Sequence, residues 1–297
     1  FVHPSLILRE MAGGINGRRR IKSTNGRIFL CIKGSATWEG ENSLREVWYM
    51  GRRYRNPPIV EALCEFRFES GEPWDMAIPG LVYEKVRDVF PKRRQVQGFE
   101  TTFASGPEGI QQQIAPTSRI QFLRDDEKAV IQVGPNLLAV NRLKPYPGWQ
   151  DFLPLIQRGF EAYCAAASPK GIDRVGLRYI NLIEFHGERV ELEDYFEFRP
   201  FVGPRLPQDH GAFIVGIQIS FENARDALRL QLASAAVETP DVVAVMLDLD
   251  YFLAQQGAVP KEQVFDWIEV AHHHVEEVFE ACITNRLRQL FDEVTEG

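Results

Sequence analysis

The chain of 297 residues carries 34 Lys and Arg against 41 Asp and Glu, a net charge of −7, with 44% hydrophobic and 25% charged residues. This is the balance of a folded globular chain with one large or two moderate domains, and it disfavours broad nonspecific binding to nucleic acid while leaving room for a local basic patch. No apolar run approaches the ~20 residues that cross a bilayer, and no basic start, apolar stretch and small-residue cleavage site occur together, which points to a cytoplasmic protein without a membrane partner.

Charge is uneven along the chain. Residues 1–49 hold eight Lys/Arg and four Asp/Glu, a net of +4, so the remainder holds twenty-six against thirty-seven, a net of −11. The segment starts at Phe1, carries the run Arg18-Arg19-Arg20 and has no sustained helical or strand period. Met50 is followed at once by an ordered pattern, and Arg45-Glu46-Val47 can be encoded by a purine-rich ribosome-binding sequence. Residues 1–49 are therefore expected to be a non-native upstream extension, the competing reading being a disordered basic arm for an acidic partner.

From there the elements follow in order. Ile59 to Phe68 alternates, with Val60, Ala62, Cys64, Phe66 and Phe68 on one side and Glu61, Glu65 and Arg67 on the other, as a half-buried strand requires. Pro79 opens a helix with the apolar stripe Val82, Val86, Val89 and Phe90, stopped by Pro91. Three strands are predicted around Phe99–Ala104, Arg119–Leu123 and Ala129–Leu143, the last interrupted at Gly134-Pro135. A helix from about Gly148 buries Trp149, Phe152, Ile156, Phe160, Tyr163, Cys164 and Ala167. The second stretch repeats that order: a strand Val175–Phe185, a short helix Leu192–Phe196, a Pro-rich loop, strands Phe213–Phe221, Leu228–Ala235 and Val242–Phe252, and one long helix from about Pro260 to Phe291.

Residues 50–170 and 171–297 thus read as two similar β-α-β-β-β-α halves packed as one unit. The final helices share a local likeness, Gly159-Phe160-Glu161-Ala162-Tyr163-Cys164 beside Val278-Phe279-Glu280-Ala281-Cys282, which suggests an internal duplication. The expected class is α+β, a mainly antiparallel sheet with long helices packed on one side.

The stretch Tyr54-Arg55-Asn56-Pro57-Pro58-Ile59-Val60-Glu61-Ala62-Leu63-Cys64-Glu65-Phe66-Arg67-Phe68, with Gln132-Val133-Gly134, Val140-Asn141-Arg142-Leu143, Gly176-Leu177-Arg178-Tyr179-Ile180-Asn181 and Leu247-Asp248-Leu249-Asp250, resembles a sporadically distributed family of uncharacterised bacterial proteins. The resemblance runs from about Met50 to Phe291. It implies a bacterial protein that starts near Met50, names no enzyme class, and suits a mobile-element or phage-conflict setting.

The candidate chemistry is sparse. Asp248 and Asp250, at i and i+2 of a strand, project from one face and could share a divalent cation, but no Gly-rich phosphate loop or third acidic ligand accompanies them. His272, His273 and His274 include the i, i+4 pairs His272/Glu276 and His273/Glu277, yet there is no H-E-x-x-H, and they read as surface residues with His272 at the core boundary. His186 and His210 fall in the middle loop. Cys31, Cys64, Cys164 and Cys282 lack any C-x-x-C pairing, and no G-x-S-x-G is present. Asn141 and Asn181 interrupt apolar faces and could line a pocket with Arg142 or Arg178. Arg52, Arg53 and Arg55 are expected to approach Lys92, Arg93 and Arg94 at one end of the sheet, making a site for an anionic segment, a nucleotide or a nucleic-acid backbone. No complete catalytic constellation assembles. The reading is a non-catalytic binding or adaptor protein with a protein partner, nucleic acid not favoured, and no cofactor. The alternatives are a divalent-metal-dependent enzyme on a phosphorylated or nucleic-acid substrate using Asp248 and Asp250, and a small-ligand sensor.

Overall fold

The computed structural model describes residues 52–294, apart from 70, 72, 107, 108, 188, 210, 238 and 240 and the side chains of 98–106 and 109–117. The expectation for residues 1–49, the Cys31 thiol and His210 lie outside the described residues.

Among the described residues, nine strands form one antiparallel sheet: β1 (Ile59–Phe68), β2 (Lys92–Gly106), β3 (Gly109–Leu123), β4 (Ala129–Gly134), β5 (Leu137–Leu143), β6 (Ile172–His186), β7 (Ile214–Phe221), β8 (Asp226–Ala235) and β9 (Val242–Leu253). Their spatial order is β2-β3-β4-β5-β1-β6-β9-β8-β7. The helices are α1 (Ile78–Val86), α2 (Trp149–Ala167), α3 (Val264–Cys282) and α4 (Asn285–Leu290). The mixed α+β class is as expected, and the alternating segment Ile59–Phe68 is a strand over its whole predicted length.

Three differences from the expected elements matter. The first stretch holds four strands after α1, because Gly134-Pro135-Asn136 turns the chain between β4 and β5, with Asn136 at φ 52°. The strand predicted around Phe99–Ala104 is longer: β2 has fifteen residues and opens with Lys92, Arg93 and Arg94. The long final helix is broken. Ile283 takes extended geometry, and the Thr284 side chain accepts a hydrogen bond from the Leu287 N–H to start α4 afresh.

Residues directly opposite in an antiparallel pair point to the same side, so the registers sort the faces. Phe66 lies opposite Val175, Cys64 opposite Leu177, and Leu177 opposite Tyr251. This face carries the helices: Phe66 and Phe68 meet Phe160 and Tyr163 of α2, Phe122 meets Tyr83 of α1, and Tyr251 meets Trp267 of α3. Among the described residues, every aromatic contact between helix and sheet falls on this face, which holds the core.

The α2 helix sits close to the sheet where Gly159 crosses Val140. A Cβ at residue 159 would lie 2.9 Å from the Val140 Cγ2 methyl, and β-branched Val140 has little rotamer freedom to retreat. Gly159→Ala is therefore expected to destabilise by about 1–3 kcal/mol through overpacking despite the better helix propensity of alanine, read as a lower urea midpoint at unchanged slope.

Candidate functional site

The opposite face of the sheet carries no helix among the described residues, and polar side chains stand in register across it between apolar ones. Arg94 Nε donates to Gln121 Oε1 (2.7 Å), Gln121 Nε2 to Gln132 Oε1 (3.1 Å), Gln132 Nε2 to Asn141 Oδ1 (2.9 Å) and Asn141 Nδ2 to Glu61 Oε1 (2.6 Å). One side chain from each of β2, β3, β4, β5 and β1 takes part. A guanidinium can only donate and a carboxylate only accept, so the two ends fix the orientation of all three amides. Aligned donors of this kind polarise one another, and Gln121, Asn141 and Glu61 are buried with their hydrogen bonds made.

The same face continues across β6, β9 and β8 as an ionic lattice. Arg178 holds Asp248 with Nε at 2.8 Å and Nη2 at 2.5 Å, a bidentate pair. Arg174 reaches Asp250 (3.7 Å) and Glu65 (3.8 Å), Arg229 reaches Asp250 (3.5 Å), and Arg67 binds Glu65 (2.9 Å). Burial opposes charge on Arg178, but the hydrogen bond and charge of Asp248 outweigh it and raise its pKa. Burial raises the pKa of Asp250, opposed by Arg174, Arg178 and Arg229. The Phe252 ring lies between the guanidinium groups of Arg174 (4.7 Å) and Arg229 (5.5 Å).

The structure distributes the expected site residues as follows. Asp248 and Asp250 share one face, as i, i+2 spacing requires; Asp248 is buried and Asp250 half-buried, and arginines engage both. Among the described residues no group of three His, Cys, Asp or Glu side chains is arranged to hold a metal ion. Asn141 and Arg142 are neighbours on β5 and point to opposite faces, so they do not line one pocket. Arg142 lies under the helices, 8% exposed, with Nε and Nη1 lacking hydrogen-bond partners, and burial lowers its pKa. Arg178 and Asn181 are likewise on opposite faces of β6, and Asn181 Nδ2 donates to the Leu247 carbonyl (3.1 Å).

The two basic clusters do not meet. They lie at the same end of the sheet, but β2 stands four strands from β1, about 19 Å at the usual strand spacing. Arg52 pairs with Glu293 (2.6 Å) and Arg55 with Asp292 (3.1 Å), whereas Lys92 binds Glu127 (3.0 Å) and Arg93 lies over the Tyr83 ring. Arg53 is exposed, its backbone carbonyl accepting from Val294.

The histidine run also differs from expectation. His272 is buried, stacked on Trp149 of α2 at 4.1 Å, with Tyr179 Oη 3.2 Å from its Nδ1 and Glu276 3.3 Å from its Nε2. Tyr179 in turn meets Tyr146 at 3.2 Å. Only His273 of the three is exposed, and His186 ends β6 rather than sitting in the loop. Burial raises the Cys64 thiol, and pushes Cys164 up to about 11 and Cys282 up to about 12, leaving these thiols protonated near neutrality.

Glu61, Glu65, Gln121, Gln132, Arg174 and Arg229 are participants that sequence reasoning passed over. Their signal was parity: polar residues two or four apart on the same side of several strands. No described helix is long and apolar enough to cross a membrane. No family model matches the chain, and no curated protein matches it at a significant level.

Proposed function

We propose that this chain is a non-catalytic binding or adaptor protein that presents the helix-free face of its sheet to a protein partner. One observation carries the reading: Asp248, Asp250 and Glu65 of the central strands are engaged by arginines, while Arg229, Phe252 and Arg174 form an aromatic–guanidinium cluster on the same face. Arginine and aromatic groups supply much of the binding energy at protein interfaces. A paired lattice also sets the position of every charge in advance, which favours discrimination among partners over catalysis.

We read the two halves as products of an internal duplication. β5 returns beside β1 as β9 returns beside β6, and β1 and β6 join the halves antiparallel. The resemblance noted above would place the protein in the bacterial cytoplasm, in a conflict or mobile-element setting, with no cofactor required.

Two measurements test the proposal. Titration with Mg²⁺ or Mn²⁺ is expected to give no stoichiometric heat; saturable binding abolished by Asp248→Asn would replace this reading with the metal-dependent one. A partner recovered from the native host should bind the purified chain directly and lose at least about 2 kcal/mol of affinity, some thirtyfold, with Arg229→Ala or Phe252→Ala. Unchanged affinity in both variants would place the interface elsewhere.

A further inference from the structure

The two edges of the sheet are treated differently. β2 opens with Lys92, Arg93 and Arg94, exposed and cationic, a usual device against edge-to-edge pairing. β7 has no such device. Its eight residues, Ile-Val-Gly-Ile-Gln-Ile-Ser-Phe, include no charge and no proline, and Ile214 and Ile217 are 61% and 47% exposed.

The register determines which backbone groups this edge offers. The Ser234 N–H donates to the Phe213 carbonyl, and the pairing with β8 runs without a bulge from Ile214↔Ala233 to Phe221↔Asp226. Hydrogen-bonded and non-hydrogen-bonded positions alternate in an antiparallel pair. The N–H and C=O groups of Ile214, Gly216, Gln218 and Ser220 therefore point away from β8.

We infer that β7 pairs with β7 of a second copy of this chain, antiparallel about a two-fold axis through Ile217. That register sets Gly216 opposite Gln218 of the second copy and Ile214 opposite its Ser220, each pair exchanging two hydrogen bonds. Ile217 then meets Ile217 of the second copy in a non-hydrogen-bonded pair, where side chains approach most closely, and Val215 meets Ile219 on the same side. Every outward group is used, and the strand lies opposite itself with no like charges facing. The strand is self-complementary, which a two-fold interface demands. An edge of about 27 Å is small against a standard interface, so association is expected in the micromolar range rather than as an obligate dimer.

Sedimentation velocity of the full chain from about 1 to about 200 μM is expected to show a monomer–dimer equilibrium. Gln218→Pro removes one outward N–H and none facing β8, and should hold the chain monomeric with its circular dichroism unchanged. If that variant does not fold, Ile217→Lys serves, by placing like charges opposite each other on the axis. Under mild oxidation Ile217→Cys should form a disulfide-linked dimer that the wild-type chain, the control for its own cysteines, does not. A wild-type chain monomeric throughout, with the edge free for an extended peptide of another protein, overturns the inference. So does a dimer that survives both blocking variants, or one that Ile217→Cys fails to cross-link.

Discussion

Replacing Asp226 with alanine is expected to cost about 3–5 kcal/mol of folding stability, the range for removing one partner of a buried charged cluster. Asp226 is fully buried on the helix-covered face. Its Oδ1 accepts from Trp267 Nε1 (2.9 Å), and its Oδ2 from Tyr251 Oη (3.1 Å) and from Arg225 Nη2 (2.7 Å) and Nε (3.2 Å). Three donors from β9, α3 and the turn before β8 converge on one carboxylate. The substitution strands two of them in the core, where water cannot replace the lost acceptor, and opens a cavity besides. For a body of this size the loss corresponds to a fall in Tm of roughly 10 °C. Asp226→Asn keeps one acceptor oxygen and should lie between wild type and alanine. A Tm within about 2 °C of wild type for Asp226→Ala would show that the cluster does not anchor α3 to the sheet.

Local pattern carried some parts of this fold and not others, for physical reasons. β1 was legible to the residue because a strand buried on one side must alternate, and Ala62, Cys64, Phe66 and Phe68 against Glu61, Glu65 and Arg67 leave no other period. β2 and β3 were under-read because their polar composition, with Gln95, Gln97, Gln111, Gln112 and Gln113, has no apolar alternation to follow. What orders them is their mutual ladder. The apolar stripe across Val275, Phe279 and Cys282 continues to Leu287, and this continuity hid the break at Ile283, which is marked only by the capping Thr284.

The candidate site suffered from a different gap. Asp248, Asp250, Arg178 and Asn141 were singled out as residue types, and their parity was readable, but which strands stand side by side is set by long-range pairing. Without β1 beside β5, Glu61 cannot be seen as the acceptor for Asn141; without β6 beside β9, Arg178 cannot be seen as the partner of Asp248. Those adjacencies separate a pair of free carboxylates from carboxylates paired with arginines.

His272 yields the second large effect, one that depends on pH. Burial pushes its pKa from 6.5 down to about 3, and neighbouring His273 adds to the shift. The ring is therefore neutral in the folded chain. Glu276 can only accept, so Nε2 carries the proton and Nδ1 accepts from the Tyr179 hydroxyl. An unfolded chain protonates this histidine below about pH 6.5, whereas the folded chain resists until about pH 3. The unfolded state thus binds more protons throughout that window, and stability must fall as pH falls through it, by up to about 1.4 kcal/mol per unit. Between pH 7.5 and 5 the loss is about 2 kcal/mol. Glu276 and Asp250 act in the opposite sense: their pKa values are raised by burial, so their contributions are greatest at low pH and decline above the ordinary carboxylate range. Glu276, beside Nε2, also favours the imidazolium, but the burial of the ring outweighs it. Both carboxylates remain in His272→Gln, so the difference between the two proteins isolates the histidine. Urea unfolding at pH 7.5 and pH 5 should show wild type losing about 2 kcal/mol more than His272→Gln over that interval, even though the variant, deprived of the stack on Trp149, starts lower. Parallel losses in the two proteins would mean that the ring reaches solvent and takes up its proton in the folded state, and that Trp149 and Tyr179 do not close over it.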